Sequence, residues 1–393
     1  MKFRWETEFK ETEIGEIPRD WEVKKLGEVV YIKQGKDIST LKLKDWGYPV
    51  FGANGLIGYT DVYHYEEPQV LIACRGSTCG IINWSFPKSF VNNNAMALLP
   101  KSIDKKFLYF SMQLNFISGR IDETITGTGQ PQITKEALEP FLIVFPPPPE
   151  QSRIANVLSW FDDLIENKER QNEILEKTAI AIFKSWFIDF EPFRACPERE
   201  RGNYEFVYNE ELGKEIPKGW EVKKIGDVVK FIYGEGLPER NRKEGIYPVV
   251  GSSGIVGFHS EYIAEPPTII IGRKGNAGSV QLFLENSYPI DTVFYSSKHT
   301  APEVIFYIYH LLKIISLEDM ALTDTAVPGL NIHMLNSLII FIPPPHILQS
   351  FHSLIEPLFQ KIILNQKQIM TLRKIRDTLL PLLVFGKLRV EEI

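Results

Sequence analysis

Two patterns of apolar residues follow each other along the chain, and the pair occurs twice. Residues 70–76 and 269–275 are short apolar runs that end in a cation and a glycine, whereas residues 141–145 and 338–342 are apolar runs that end at consecutive prolines. Short apolar runs bounded by turn residues predict buried strands. Because proline cannot donate to a strand ladder, each proline run marks the end of a strand.

After each proline run the apolar period changes to that of a helix. Apolar residues recur at spacings of three and four, which predicts a coiled-coil seam interrupted by polar positions. The seam positions of the two helices are Leu158, Phe161, Ile165, Lys168, Asn172 and Leu175 in the first, and Leu358, Ile362, Asn365, Ile369 and Leu372 in the second. This register places Leu354 in the seam, and Pro357 is expected to kink the second helix or delay its start.

The chain is an internal repeat. Residues 16–30 recur as 215–229, a shift of 199 positions, and residues 48–59 recur as 247–258 at the same shift. Residues 128–133 match 325–330 at a shift of 197. Between the matched blocks the copies diverge, most clearly at 31–47 and 230–246. One scaffold therefore carries two different surfaces.

These patterns predict an α+β chain of two β-rich globular modules, each followed by a long α-helix, with the helices pairing as an antiparallel coiled coil. The alternative is that each helix packs only on its own module. The expected divisions are a first module at 1–150, its helix at 151–190, a linker and second module at 191–345, and a second helix with a C-terminal tail at 346–393. Glycines 52, 55 and 58, with 251, 254 and 257, are expected in turns between short strands.

Composition favours a soluble globular protein, with 44% hydrophobic and 24% charged residues. The formal net charge is −6, and no globular segment is basic, so composition alone does not predict DNA binding. No apolar run reaches the roughly 18 residues of a membrane span, and the charged N-terminus lacks the apolar core of a signal peptide. We therefore expect a cytoplasmic protein that does not contact a membrane.

Candidate catalytic motifs are missing or incomplete. No phosphate-binding loop, dinucleotide-binding loop, zinc-binding helix or serine elbow occurs, so neither a catalytic residue, a cofactor nor a metal is expected. Cys74 and Cys79 resemble half of a metal site, but two reduced thiols are the simpler interpretation. Asp20 precedes a Glu and a Lys as in metal-dependent nucleases, yet the second copy has Gly219 there, which favours a charge pair on a solvent face.

Several blocks together resemble the specificity subunit of type I restriction-modification systems. They are the repeated I-P-x-x-W-E-V-K-K-[LI]-G-[ED]-V-V block, the T-x-x-P-x-[IL] stretch before each proline-ended strand, residues 165–175, and residues 183–192. Residues 379–383 before Gly386 resemble the end of the family's second helix. The resemblance covers nearly the whole chain. It implies two target recognition domains that each read one half of a bipartite, asymmetric double-stranded DNA sequence.

The resemblance also implies partners. The paired helices would dock two methyltransferase (modification) subunits, restriction subunits would join through the complex, and the chain itself would be a non-catalytic subunit without cofactors. A two-headed protein-interaction scaffold remains the alternative, and the acidic net charge favours it. Binding of random duplex DNA at low salt separates the two, because a scaffold would not retain DNA.

Recognition residues vary within this family, so the candidates rest on physical chemistry. Arg bridges guanine and Gln bridges adenine in the major groove, whereas Lys more often contacts the phosphate backbone. The candidates lie in divergent loops beside matched scaffold, where a solvated surface residue is the alternative for each. They are Lys36, Lys42, Lys44, Arg75, Thr128, Gln130 and Gln132 in the first module, and Arg240, Arg242, Lys243, Arg273 and Lys274 in the second.

Overall fold

The computed structural model describes residues 2–127, 129–194, 204–297, 299–315, 317, 320 and 329–392, with only the backbone described at 40 and 392. It divides into two compact units. The first unit contains residues 1–168 and 368–393, and the second contains residues 169–367. Each unit therefore takes one half of each long helix, which differs from the linear order of modules and helices expected from the sequence.

The first repeat alternates short strands with helices. Its strands are β1 (Lys2–Trp5), β2 (Phe9–Lys10), β3 (Ile17–Pro18), β4 (Glu22–Lys25), β5 (Val30–Gln34), β6 (Tyr48–Gly52), β7 (Gly55–Thr60), β8 (Val70–Ala73), β9 (Ile82–Trp84), β10 (Phe90–Val91), β11 (Ala95–Pro100) and β12 (Leu142–Phe145). Its helices are α1 (Leu26–Val29), α2 (Lys105–Ile117), α3 (Lys135–Leu138) and α4 (Pro148–Phe187), with short 3₁₀ turns at Thr40–Lys42 and Arg120–Thr124.

The second repeat follows the same order. Its strands are β13 (Phe206–Asn209), β14 (Lys214–Pro217), β15 (Glu221–Lys224), β16 (Phe231–Tyr233), β17 (Tyr247–Gly251), β18 (Gly254–His259), β19 (Thr268–Gly272), β20 (Val280–Phe283), β21 (Tyr288–Pro289), β22 (Val293–Ser296), β23 (Ile339–Ile342) and finally β24 (Leu388–Glu392). Its helices are α5 (Ile225–Val228), α6 (Pro302–Ile314), α7 (Ile332–Ser337) and α8 (Pro345–Val384), with a 3₁₀ turn at Glu239–Asn241.

Both repeats have the same sheet topology. The first unit has a four-stranded antiparallel sheet in the order β5-β11-β8-β9 and a three-stranded sheet in the order β10-β6-β7; the second unit has β16-β22-β19-β20 and β18-β17-β21. In each three-stranded sheet the hairpin is antiparallel and the outer strand, β10 or β21, is parallel. Gly55 and Gly254 open the second strand of the hairpin with positive φ of 83° and 106°, which confirms the predicted turn there. Gly58 and Gly257 were wrongly expected in turns, because they lie inside β7 and β18.

The long helices α4 and α8 run antiparallel to each other within each unit. In the first unit, Arg376 Nη1 donates to Asp162 Oδ1 at 2.6 Å, and Arg153 Nε donates to the carbonyl of Val390 at 2.7 Å. In the second unit, Asn365 Nδ2 donates to Asn172 Oδ1 at 2.9 Å. Asp162 of α4 meets Arg376 of α8, whereas the later Asn172 meets the earlier Asn365, so the antiparallel pairing predicted from the sequence is observed. Val390, the partner of Arg153, lies in β24, which follows α8.

Burial identifies which residues face the partner helix. All eleven predicted seam positions are buried or half-buried. Two expectations near the start of α8 were wrong. Leu354 is 46% exposed while Ile355 is fully buried, so the seam steps from Phe351 to Ile355 and only then to Leu358. Pro357 does not delay the start of α8, which is helical from Pro345 to Val384.

Each unit has its own core, to which both long helices contribute. In the first unit Trp21 and Phe107 pack with Leu158 of α4 and Leu383 of α8. In the second unit an aromatic cluster that includes Phe187, Trp220 and Phe351 has the same role. Burial of this apolar area is the main stabilising contribution in both units.

Candidate nucleic-acid interface

A β-turn after the buried strand β8 presents Arg75 to solvent. The carbonyl of Cys74 accepts a hydrogen bond from the N–H of Ile133 at 3.0 Å, and Arg75 forms a β-bridge with Gln132. Gly76 follows with a φ of +84°, a conformation that side chains disfavour. The structure thus brings together Arg75 and Gln132, two candidates that lie far apart in the sequence.

The second unit repeats this arrangement with different residues. The carbonyl of Arg273 accepts from the N–H of Leu330 at 3.1 Å, Lys274 forms a β-bridge with Gly329, and Gly275 has a φ of +74°. Lys274 is therefore the structural counterpart of Arg75. Both side chains are exposed, and neither makes a hydrogen bond or ion pair within the described part of the chain.

Other candidate cations contact their own unit. Lys44 Nζ lies 2.5 Å from Asp61 Oδ2 and 4.6 Å from the centre of the Trp46 ring. Lys243, its counterpart in the repeat, lies 3.3 Å from Glu261 Oε1. These ion pairs lower the net positive charge that either loop presents to a nucleic acid.

Two arginines of the second unit are also engaged. Arg242 Nη1 donates to the carbonyl of Val256 at 2.7 Å, and a Cβ at Gly257 would lie only 2.7 Å from the same nitrogen. Arg273 Nη1 donates to the carbonyl of Asp291 at 3.2 Å, and its guanidinium lies 5.0 Å from the ring centre of Tyr233. Both guanidinium groups thus stabilise the loop conformation, which limits their freedom to contact a ligand.

The remaining candidates are exposed. Lys36, Lys42, Gln130 and Arg240 project from loops or 3₁₀ turns, and their side chains make no ion pair within the residues described. Burial and the nearby charge of Lys36 both lower the pKa of His64. Thr128, the other candidate of the first module, lies outside the described residues.

The two suspected metal motifs have structural explanations. Cys74 and Cys79 are both buried, and burial raises the pKa of each thiol, for Cys79 to about 11, so both are protonated at neutral pH. Asp20 accepts two hydrogen bonds from Arg389, at 3.0 and 2.9 Å. The charge pair expected at Asp20 therefore joins it to the C-terminal strand. Among the residues described, no group of three potential metal ligands occurs.

Arg389 joins several acidic groups of the first unit. Besides Asp20, it donates to Glu6 Oε2 at 2.6 Å and to Glu150 Oε2 at 2.6 Å. Trp21 Nε1 also donates to Glu150 Oε2, at 3.0 Å. Because β24 pairs antiparallel with β1, this network fastens the C-terminal segment to the N-terminal segment within one unit.

Sequence reasoning missed two polar residues of the second unit that the structure brings to one cleft. Asn276 and Lys313 line a common cleft, although one lies in a β-turn and the other at the end of α6. Neither lies in a motif. The available signal was weak: Phe116 is the equivalent of Lys313 in the first repeat, but Ser111 and Asn115 of the same helix also differ in polarity from their equivalents. No helix within the described residues is long and apolar enough to cross a membrane.

Two copies of one α+β module carry different exposed residues at equivalent turns, and two long helices pair antiparallel; these features define a repeated recognition protein. The family model described as the type I restriction modification DNA specificity domain matches residues 18–177 and again residues 217–374. The chain belongs to this family. The two matches coincide with the two repeats and extend into both long helices.

Individual relatives match this chain over most or all of its length. The chain is 37% identical to the type I restriction enzyme MjaIX specificity subunit of Methanocaldococcus jannaschii, covering 100% of this chain and 99% of the relative. It is 24% identical to the HindI specificity subunit of Haemophilus influenzae, covering 76% of this chain and 79% of the relative. The crystal structure of the type I restriction-modification S subunit from M. genitalium shares the fold, with a TM-score of 0.63 at 21% identity over 93% of this chain and 96% of the other.

Proposed function

We propose that this chain is the DNA-recognition subunit of a type I restriction-modification complex. In this proposal each repeat is a target recognition domain that reads one half of a bipartite, asymmetric sequence. The observation that carries it is the pair of equivalent exposed turns: Arg75 and Lys274 occupy the same place in the two copies, and each is braced by the same β-bridge. Equal scaffolds with unequal exposed residues suit the reading of unequal sequences.

Specific contacts in the first half-site would come from Arg75 and Gln132. An arginine can donate two hydrogen bonds to guanine and a glutamine can pair with adenine, so adjacent exposed side chains of these types suit neighbouring base pairs. Lys36 and Lys42 would contact phosphates, as would Lys274 and Arg240 in the second half-site. The net charge of −6 is compatible with this proposal if the partner subunits supply further phosphate contacts.

The paired helices would dock the methyltransferase subunits, one for each repeat. Support comes from large apolar side chains that remain exposed on these helices: Trp160 and Leu164 are 43% and 49% exposed in the first unit, and Ile174 is 57% exposed in the second. Exposed apolar side chains on a helix are a common feature of protein-binding surfaces. The catalytic residues, S-adenosylmethionine and ATP would then belong to the partner subunits.

Co-expression with the methyltransferase subunit, followed by methylome sequencing, tests the proposal. We expect methylation of one bipartite sequence that depends on both proteins. The chain alone should retain duplex DNA at low salt without methylating it. A chain that neither retains duplex DNA nor directs methylation in the co-expressed complex would refute the proposal and favour the protein-interaction scaffold.

The docking surface is tested separately. Trp160→Glu should reduce co-purification of the methyltransferase subunit, because it puts a charge in place of an exposed apolar side chain one helical turn from Leu164. Asp163→Glu, on the exposed side of the same helix, is the control and should leave assembly unchanged. Normal assembly of Trp160→Glu would show that the methyltransferase docks elsewhere.

A further inference from the structure

A polar cleft of about 440 Å³ opens in the second unit beside the turn that carries Lys274. It lies between the β17–β18 turn, the β19–β20 turn and the C-terminal end of α6. The polar residues that line it are Ser252, Ser253, Asn276, Ser279, Gln281 and Lys313. Its volume falls in the range of sites that hold a nucleotide-sized ligand.

The walls of the cleft are fixed by hydrogen bonds. Ser279 Oγ donates to the carbonyl of Ser252 at 2.9 Å, and Gln281 Nε2 donates to the carbonyl of Gly251 at 3.4 Å. A Cβ at Gly275 would lie 3.3 Å from Ser252 Oγ, so the two turns are in close contact. Asn276 is exposed, and its amide makes no hydrogen bond within the described residues. The amide therefore projects from a braced turn and is available to a ligand.

The first repeat provides an internal comparison. Strand pairing places Ile81 at the position of Ser279, and the matched helices α2 and α6 place Phe116 at the position of Lys313. The Phe116 ring lies 3.4 Å from where a Cβ on Gly80 would be, so it packs against the hairpin turn. The concavity at this place in the first unit is only about 220 Å³ and has a largely apolar hairpin wall. At one position of the hairpin wall and one of the helix wall, an apolar residue of the first repeat is thus replaced by a polar residue in the second.

We propose that this cleft contacts the second half of the DNA target, with Asn276 reading a base edge and Lys313 contacting a phosphate. The inference rests on the proposed function and extends the recognition surface beyond the Lys274 turn. Hydroxyl and amide groups disfavour an apolar ligand, and the cations Lys274 and Lys313 favour an anionic one. An asparagine amide can make two hydrogen bonds to adenine, whereas a lysine ammonium supplies a point charge for phosphate.

The experiment uses the chain assembled with its methyltransferase subunit and a pool of duplexes randomised in both halves of the target. Asn276→Ala should lower discrimination at one base pair of the second half about tenfold and leave the first half unchanged. Lys313→Phe, which installs the residue of the first repeat, should weaken binding to all sequences alike. It should also reduce the slope of log affinity against log salt by about 1. Lys224→Phe, at an exposed lysine of β15 outside the cleft, is the control for charge loss.

The outcomes separate the two proposals. If the wild-type complex selects a bipartite target but Asn276→Ala and Lys313→Phe keep its base preferences and its salt slope, the cleft plays no part in recognition and this inference is wrong. An equal loss of slope in Lys224→Phe would also overturn the role of Lys313. If the wild-type complex selects no sequence, the proposed function itself fails, and this inference fails with it.

Discussion

Asn365 donates a hydrogen bond to Oδ1 of Asn172, at 2.9 Å, in the helix seam of the second unit. Its amide also lies 3.3 Å from Gln171 Oε1. Asn365 is fully buried, and its own Oδ1 has no partner within the described residues. A buried polar pair in an apolar seam costs stability but restricts the register in which two helices can pair.

We expect Asn172→Leu to lower the free energy of unfolding by about 1–3 kcal/mol, because it leaves a buried amide with a weaker set of partners. The double variant Asn172→Leu with Asn365→Leu should recover at least the wild-type value, because both polar groups are then replaced by apolar ones. Urea unfolding measures both. Thr178→Leu, on the exposed side of α4, is the control and should change stability by less than about 0.5 kcal/mol.

A double variant less stable than Asn172→Leu would contradict this account, because it would mean that the asparagine pair is itself stabilising. The registry role has its own readout. If the pair restricts register, the double variant should methylate targets with a less uniform spacing between the two halves.

The acid stability of the first unit should depend on Arg389. Its hydrogen bonds are the largest cause of the lowered pKa of Asp20; for Glu6, burial raises the pKa, but hydrogen bonds from Thr7, Glu8 and Arg389 outweigh it. A carboxyl whose pKa is lowered on folding stabilises the fold above its unfolded pKa. That contribution is lost as the pH falls below about 4.5 through the lower folded value.

Arg389→Ala should therefore destabilise the protein at pH 7 by about 3–5 kcal/mol, since it leaves the buried Glu6 and Glu150 carboxylates without their cation. Stability should also fall less than in the wild type when the pH is lowered from 7 to below about 4.5, where these carboxylates become protonated. Arg4→Ala removes a half-exposed arginine that lies 3.6 Å from Glu6, and it should cost less than about 1 kcal/mol. Thermal unfolding across this pH range measures both, and equal costs for the two variants would refute the role of Arg389.

A buried histidine gives the second unit a separate pH dependence. His310 Nδ1 donates to the carbonyl of Phe306 at 2.7 Å, the ring lies among Phe183, Phe351 and Phe359, and burial lowers its pKa to about 4. The unfolded chain therefore protonates this histidine more readily than the folded chain does. The stability that comes from the neutral buried ring is present above pH 6.5 and is lost as the pH falls from 6.5 to 4.

His310→Gln introduces the residue found at the matching position of the first repeat, Gln113. Between pH 6.5 and pH 4 the wild type should lose about 3 kcal/mol more stability than this variant. His333→Gln, at an exposed histidine of α7, is the control and should leave the pH dependence unchanged. Urea unfolding at several pH values measures the difference. Parallel pH profiles for wild type and His310→Gln would contradict the prediction.

The sequence predicted the duplicated architecture because repetition and apolar period are local signals. The structure agrees with both signals: the two repeats have the same strand order in their sheets, and the long helices pair antiparallel. The register near Phe351 could not be predicted, because Leu354 and Ile355 are both apolar and only the packed partner decides which is buried. Pro357 was misjudged because packing of α8 into the core outweighs the local cost of proline in a helix.

The candidate interface was predictable in part. The exposed cation after a buried strand located Arg75 and Lys274, since a strand followed by glycine implies a turn. Sequence alone could not show that Arg242 and Arg273 donate to backbone carbonyls of their own unit, because those acceptors lie on other strands or loops. For the same reason it could not bring together Asn276 and Lys313.

Arg75 and Lys274 should act on different halves of the target. The two residues hold equivalent positions, so an alanine substitution at each one tests the two copies in the same local geometry. Arg75→Ala should weaken discrimination at a base pair of the first half-site by about 1–3 kcal/mol if the guanidinium contacts a guanine, and should leave the second half unchanged. Arg75→Lys should recover affinity but not discrimination, because an ammonium cannot make the paired hydrogen bonds of a guanidinium.

Lys274→Ala is the matched variant in the second repeat. As a phosphate contact it should weaken binding across sequences and reduce the salt slope by about 1, with base preferences kept in both halves. Selection from randomised duplexes, with the methyltransferase subunit present, reads the two halves in one experiment. The repeats would not be independent readers if Arg75→Ala relaxed the preference equally in both halves. Independent reading requires each turn to affect only its own half, because each is held by a bridge within its own unit.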